Sequence, residues 1–120
     1  MTSLMDAIVG NDPPRDPRFP HAPAQWSAEA AARTARAEGV ELGEDHLEAL
    51  RALQEYYARR PQHAVNLREL HDALDEKFHH KGGMKYLYRL FPGGPVAQGC
   101  RLAGLEVPAG AVDRGFGSVA

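Results

Sequence analysis

The side chain in this sequence best suited to covalent chemistry is the thiol of Cys100, the only cysteine among 120 residues. A thiolate is a strong nucleophile, so the pKa of the thiol decides how much of it can react. Arg101 beside it would lower that pKa, whereas the negative end of a helix dipole would raise it. Free cysteines are also often inert, buried small hydrophobes. From the residues alone, Cys100 is either a reactive thiol or a packing residue.

The six histidines do not form a metal-binding pattern. His79 and His80 are adjacent, so their side chains diverge by about 100 degrees on a helix, and no other ligand spacing typical of a metal site is present. The Gly93-Gly94-Pro95 turn lacks the lysine of a phosphate-binding loop and follows a predicted helix instead of a strand. We therefore expect no metal and no other cofactor.

The charged residues are distributed unevenly along the chain. The formal net charge is -2, yet residues 1–76 carry fourteen acidic and eight basic side chains, while residues 77–105 carry five basic ones and no acidic one. A basic region around Cys100 favours the thiolate and would attract anions or an acidic partner surface. In the alternative interpretation these cations lie on solvated helix faces.

The length and the hydrophobic content favour one small soluble domain. A chain of 120 residues with 43% hydrophobic content is near the lower end of the sizes that bury an adequate core. One cysteine excludes an internal disulfide, and no stretch has the composition of a signal peptide or approaches the roughly 20 apolar residues of a membrane span. We expect a cytoplasmic protein without a membrane partner.

Local signals predict five helices. Ser27 is a suitable N-cap for the first helix, and Gly39 is placed to end that helix in a left-handed conformation. Asn66, with Glu69 three residues later, predicts the start of the third helix. The predicted helices cover residues 28–38, 44–60, 67–78, 84–91 and 95–104. The second and third carry apolar side chains every three or four residues that should face the core: Leu47, Leu50, Leu53 and Tyr57, then Leu67, Leu70, Leu74 and Phe78.

The chain divides into three predicted parts. Residues 1–25 contain five prolines, which disfavour a helix or a central strand and predict an extended lead-in. Residues 26–104 form the helical domain, to which Trp26 should anchor the lead-in. Residues 105–120, with Pro108 and several glycines, are predicted to form a flexible arm with little packing of its own.

The C-terminal third carries a run of residues typical of one family. Its order is Lys85-Tyr86-Leu87-Tyr88, then Leu90-Phe91-Pro92, Gly94-Pro95, a predicted helix and Ala103-Gly104-Leu105. This run resembles the C-terminal part of the DsrC/TusE/DsvC family of sulfur relay proteins. Residues 38–46 and the Tyr56-Tyr57 pair resemble the same family, which extends the similarity over roughly residues 26–112.

The resemblance implies a mainly helical fold, a small orthogonal bundle of about five helices. It also implies a short N-terminal β-hairpin, which the proline-rich start disfavours. Full members of the family carry two cysteines eleven positions apart, one on the last helix and one on the C-terminal arm. Cys100 matches the helix cysteine, Ala111 occupies the arm position, and the chain continues past Val112 for eight residues.

The resemblance therefore implies a sulfur relay or sulfur-trafficking protein in which Cys100 holds sulfane sulfur as a persulfide or forms a mixed disulfide. Such a protein would be a carrier or protein substrate, not a freestanding enzyme. The closing of a disulfide or trisulfide within the chain is impossible with Ala111. The expected partners are sulfurtransferases, such as those of transfer RNA thiolation, or complexes like sulfite reductase or heterodisulfide reductase. We expect the chain itself to be monomeric.

Two other functions remain open. A regulatory member of the same fold would dock on such complexes without passing on sulfur, and the residues expected to contact a partner are Lys85, Tyr86, Tyr88, Arg89, Phe91 and Arg101. A helix-turn-helix DNA-binding regulator would use the basic region, but the predicted fourth helix is mostly apolar and the sequence pI is about 6.3, so nucleic acid is not the expected partner.

Overall fold

The computed structural model describes residues 16–60 and 65–111. Within these ranges the chain forms five α-helices and one short 3-10 helix, His79–Lys81, between the third and fourth. The helices are α1 (Ala28–Ala37), α2 (Glu44–Ala58), α3 (Leu67–Lys77), α4 (Gly83–Leu90) and α5 (Ala97–Ala103). The prediction of a mainly helical bundle with about five helices is confirmed.

The helix boundaries follow from local capping. The Ser27 hydroxyl accepts a hydrogen bond from the Ala30 amide at 3.1 Å, and the Asn66 carbonyl oxygen accepts one from the Glu69 amide at 3.0 Å. Each side chain thereby satisfies an amide that has no partner within its helix. Gly104 ends α5 with a φ of 79°, a left-handed conformation that turns the chain into the C-terminal segment.

The core lies where the helices cross. Helix α2 packs against α5, α3 against α4, and α1 against α5. In the predicted apolar stripes of α2 and α3, Leu47, Tyr57 and Leu67 are only partly buried. The other members of those stripes are buried in the core together with residues of α4 and its end: Leu50, Leu53, Leu70, Leu74, Phe78, Leu87 and Phe91.

The described part of the lead-in, residues 16–25, is a series of turns. Phe19 is fully buried and meets the edge of Trp26, with ring centroids 4.8 Å apart. The indole nitrogen of Trp26 donates a hydrogen bond to the carbonyl of Leu102 at 2.7 Å. Trp26 therefore anchors this segment to α5, as expected, whereas the contribution of Phe19 was not foreseen. Residues 16–25 contain no strand, and residues 1–15, where the implied hairpin would begin, lie outside the described ranges.

We refer to residues 105–111 as the arm segment. It packs more closely than the sequence led us to expect, because Leu105, Val107 and Ala111 lie against the core and Pro108 is buried. Its first amide, that of Leu105, donates a hydrogen bond to the carbonyl of Cys100 at 2.8 Å. The arm segment thus begins by folding back on α5. Residues 112–120 of the predicted flexible arm lie outside the described ranges.

None of the helices in the described ranges is both long and apolar enough to cross a membrane.

Candidate functional site

Helix α5 is a short helix that is buried on almost every side. Six of its seven residues are buried, and only Arg101 is partly exposed. Gly99 permits this close packing, because a Cβ atom there would lie 2.9 Å from the Leu53 Cδ1 atom of α2. The approach of α2 and α5 places the thiol of Cys100 inside the protein, where its exposed fraction is 0%.

The sulfur of Cys100 forms a hydrogen bond with the hydroxyl of Tyr57 on α2. The thiol donates to this hydroxyl across 3.6 Å, and the hydroxyl in turn donates to the backbone carbonyl of Glu106 in the arm segment at 2.6 Å. The result is a chain of two hydrogen bonds that runs from α5 through α2 to the arm segment. Tyr57 therefore lies between the candidate nucleophile and the segment that carries the arm position.

Burial decides the acidity of the thiol. It raises the pKa of Cys100 to about 11, and the hydrogen bond with Tyr57 offsets only part of this effect. The pKa of Tyr57 is also raised, chiefly by burial and then by the hydrogen bond to Cys100. The expected effect of the basic residues 77–105 on the thiol is not seen among the causes of this shift, and Cys100 is a protonated thiol at neutral pH.

Arg101, expected to act on the thiol or on a partner, is held on another side of α5. Its guanidinium donates to the Glu38 carboxylate at 2.6 Å, and the same carboxylate oxygen accepts a hydrogen bond from the Gln98 side chain at 2.9 Å. The Gln98 carbonyl oxygen accepts from the Gly93 amide at 2.9 Å. This network fixes the start of α5 against the end of α1, so Arg101 holds α5 in place.

The other residues expected to contact a partner differ in exposure. Lys85 and Arg89 lie one turn apart on α4 and are exposed, while Tyr86 and Tyr88 are partly buried. Phe91 is 1% exposed and packs at the edge of the His46 ring, with centroids 5.3 Å apart. A partner cannot reach Phe91 in this structure, because the residue belongs to the core that α4 covers.

The arm position, Ala111, is partly buried at a cleft of about 180 Å³ on the surface. The cleft is also lined by residues of α3, α4 and the start of α5, among them Leu67, His71, Tyr88, Val96 and Ala97. A methyl group there offers no atom that can bind or transfer sulfur. The described part of the chain also contains no cluster of three or more histidine, cysteine or carboxylate side chains able to hold a metal ion.

Cys100 lies on the last of the described helices, as predicted, but its side-chain neighbours were not predicted. Tyr57 was expected only as a core-facing residue, and the one available signal for a second role was a hydroxyl in an otherwise leucine-rich stripe. Glu38 gave no signal of its interaction with Arg101, because the two residues are 63 positions apart.

The fold and the site together describe a helical thiol protein. Its one thiol is buried on α5 and is linked through Tyr57 to the arm segment. Comparison with known proteins then shows its family. The model of the family described as DsrC like protein matches residues 16–112. The chain belongs to this family, as its sequence predicted.

Two relatives and one solved structure illustrate the similarity. Sulfurtransferase TusE of Salmonella typhimurium strain LT2 is 41% identical over 85 residues, which cover 70% of this chain and 77% of that protein. Sulfurtransferase TusE of Escherichia coli K12 is 39% identical over the same length and the same shares. The NMR structure of Allochromatium vinosum DsrC superposes with a TM-score of 0.59 and 42% identity, covering 72% of this chain and 78% of that chain.

Proposed function

We propose that this protein is a sulfur relay protein of the DsrC/TusE type that carries sulfur on a single cysteine, Cys100. The observation that carries the proposal is the position of Cys100 on the last helix of a DsrC-like fold, directly before the arm segment. The relatives named sulfurtransferase TusE support the same chemistry. The protein would act as a carrier, because a lone thiol can receive and give up sulfur but cannot resolve its own adduct.

The loading step is a thiol exchange. The thiolate of Cys100 attacks the outer sulfur of a donor persulfide, a new S–S bond forms at Cys100, and the old S–S bond breaks to leave the donor as a thiolate. The donor cannot reach Cys100 in the described conformation, since the residue is 0% exposed. Loading therefore requires Tyr57 or the arm segment to move, which also lets water lower the pKa of the thiol.

The unloading step must use a thiol from outside the chain. Ala111 occupies the position of the second family cysteine, and Cys100 is the only cysteine present. An acceptor thiolate that attacks the outer sulfur takes it as a new persulfide and leaves Cys100 as a thiolate. An acceptor that attacks the inner sulfur forms a mixed disulfide with Cys100 and releases hydrosulfide. The single-cysteine protein is thus suited to carry one sulfur between two partners and unsuited to closing an internal disulfide.

Intact mass spectrometry tests the proposal. The reduced protein is incubated with inorganic polysulfide, and the matched control is Cys100→Ser, which keeps the size of the side chain. We expect the wild type to gain the mass of one or more sulfur atoms, reversibly with reductant, and the control to gain none. An unchanged mass under conditions that load a two-cysteine relative would refute the carrier function.

A second candidate, a docking protein that passes on no sulfur, is favoured by one observation: the thiol is fully buried and its pKa is raised to about 11. In that function the exposed cations Lys85 and Arg89 would bind an acidic surface of the partner. The test is capture of sulfurtransferase or sulfite reductase-like complexes by the wild type, Cys100→Ser and a Lys85→Glu/Arg89→Glu double variant. Capture that survives in Cys100→Ser but fails in the double variant, with no sulfur uptake by the wild type, supports docking alone.

The identity of the partner and the setting are part of the proposal. Sulfurtransferases that donate persulfide, or complexes like sulfite reductase and heterodisulfide reductase that consume it, have the required chemistry. A monomer in the cytoplasm suits a carrier with one reduced thiol, because reducing conditions there keep a lone cysteine from pairing with another protein at random.

A further inference from the structure

The Tyr57 hydroxyl has one proton and two hydrogen-bonding neighbours. In the structure it donates to the Glu106 carbonyl at 2.6 Å and accepts from the Cys100 thiol at 3.6 Å. A tyrosine hydroxyl can donate only one hydrogen bond at a time. The direction of both bonds is therefore set by the protonation of Cys100, because a thiol can donate and a thiolate can only accept.

We propose that Tyr57 is a positioning residue that couples the protonation of Cys100 to the attachment of the arm segment. It holds Glu106 while Cys100 is a thiol, and it turns to the sulfur when the thiol loses its proton. The inference deepens the proposed function, on which it rests, by naming the residue that links the chemistry at Cys100 to the movement that loading requires.

The proton balance of this step is simple. Cys100 loses its proton to water or hydroxide, and the sulfur keeps the electron pair. The Tyr57 O–H then rotates from the Glu106 carbonyl to the thiolate, which becomes the better acceptor because it carries a full charge. The S–H bond of Cys100 is the only covalent bond that breaks, and Tyr57 keeps its proton. The carbonyl of Glu106 loses its hydrogen bond from Tyr57, so the start of the arm segment is held less firmly.

The surroundings support a local coupling. Among residues 16–60 and 65–111, the Tyr57 hydroxyl is the one group that shifts the pKa of Cys100, apart from the effect of burial. Tyr57 itself is affected by Cys100, by the Glu106 carboxylate and by its neighbour Tyr56. Its own pKa is raised, so it remains a donor over the range in which Cys100 ionises. Arg101 does not compete for the sulfur, since its guanidinium is paired with Glu38.

Two NMR signals from the same protein test the coupling without any sulfur donor. The Cβ carbon of the only cysteine, labelled with carbon-13, reports the ionisation of Cys100. The methyl groups of Val107, which packs against the core, report the position of the arm segment. We expect both signals of the wild type to titrate together, with a midpoint near 11.

Two variants separate coupling from mere packing. In Cys100→Ser, whose hydroxyl donates but does not ionise in this range, the Val107 signal should not titrate. In Tyr57→Phe, which keeps the ring, the midpoint of Cys100 should rise by about one pH unit, because the thiolate loses its donor. The Val107 signal of that variant should no longer follow the titration of Cys100.

Three results would overturn the inference. They are a Val107 signal that stays constant while wild-type Cys100 ionises, a Val107 transition shared by Cys100→Ser, and a Cys100 midpoint in Tyr57→Phe that is unchanged or lowered. These outcomes are independent of sulfur uptake. A protein that takes up sulfur without the coupled titration refutes only the role of Tyr57, and a coupled titration without sulfur uptake refutes only the carrier function.

Discussion

The slow alkylation of Cys100 is the most direct consequence of its burial. The pKa of the thiol rises from its usual value of 9.0 to about 11. Two pH units correspond to about a hundredfold lower fraction of thiolate at any pH well below 9. Iodoacetamide reacts only with the thiolate, so at about pH 8 it should label Cys100 at least a hundredfold more slowly than an ordinary exposed thiol. Steric protection by the surrounding helices adds to this factor.

The matched control carries its thiol on the surface of the same fold. Lys85 is exposed on α4, so the Lys85→Cys change in a Cys100→Ser background supplies an ordinary thiol. Rates are followed by intact mass over a range of pH. The control rate should level off above about pH 9, while the wild-type rate should keep rising about tenfold per pH unit to at least pH 10. Equal rates, or a wild-type profile that levels near 9, would refute the reasoning that burial sets the acidity of Cys100.

Three further predictions concern the elements that hold the site, each measured by urea unfolding. Gly104→Ala should cost about 1–3 kcal/mol, because Gly104 has a φ of 79° and a Cβ would lie 2.9 Å from Trp26. Its control Gly43→Ala should cost no more than about 1 kcal/mol, the loss of a favourable N-cap residue, since Gly43 has a φ of -105° and a Cβ there meets nothing closer than 3.8 Å; a cost as large as that of Gly104→Ala would contradict this explanation of the turn. Glu38→Ala should cost about 1–3 kcal/mol by leaving two side-chain donors of α5 without their acceptor; a neutral change would mean that the network does not hold α5. The raised pKa of Cys100 contributes stability that is fully present below about pH 9 and is lost as pH rises through 11, because the folded state binds the proton more tightly. The stability of the wild type relative to Cys100→Ser should therefore fall by at most about 3 kcal/mol over that range, and a rise would contradict the sign.

The helices could be predicted because their signals are local. Ser27 and Asn66 form the expected N-cap hydrogen bonds, and Gly39 has the expected left-handed conformation. Each of these interactions joins residues within one turn of helix, so the sequence window that contains them is short. The apolar stripes of α2 and α3 predicted the core for a similar reason, since spacing along a helix determines which side chains share a face.

The environment of Cys100 could not be predicted in the same way. Its partner Tyr57 lies 43 positions before it in the sequence, and Glu106, which Tyr57 holds, lies 49 positions after Tyr57. Local charge and the helix dipole predicted opposite effects on the pKa of the thiol, and neither indicated that the fold turns Arg101 towards Glu38 and buries the sulfur. Phe91 illustrates the same limit, because its place in a family motif did not reveal that it is buried.

In the proposed function, Cys100 carries sulfur even though the arm position is Ala111. The measurement that tests this claim most directly is the transfer of radioactive sulfur from cysteine by a cysteine desulfurase, with wild type and Cys100→Ser compared side by side. We expect radioactive sulfur on the wild type alone, and we expect it to be released by reductant and passed on to an added protein thiol. Equal label on both proteins, or none under conditions that label a two-cysteine relative, would contradict it.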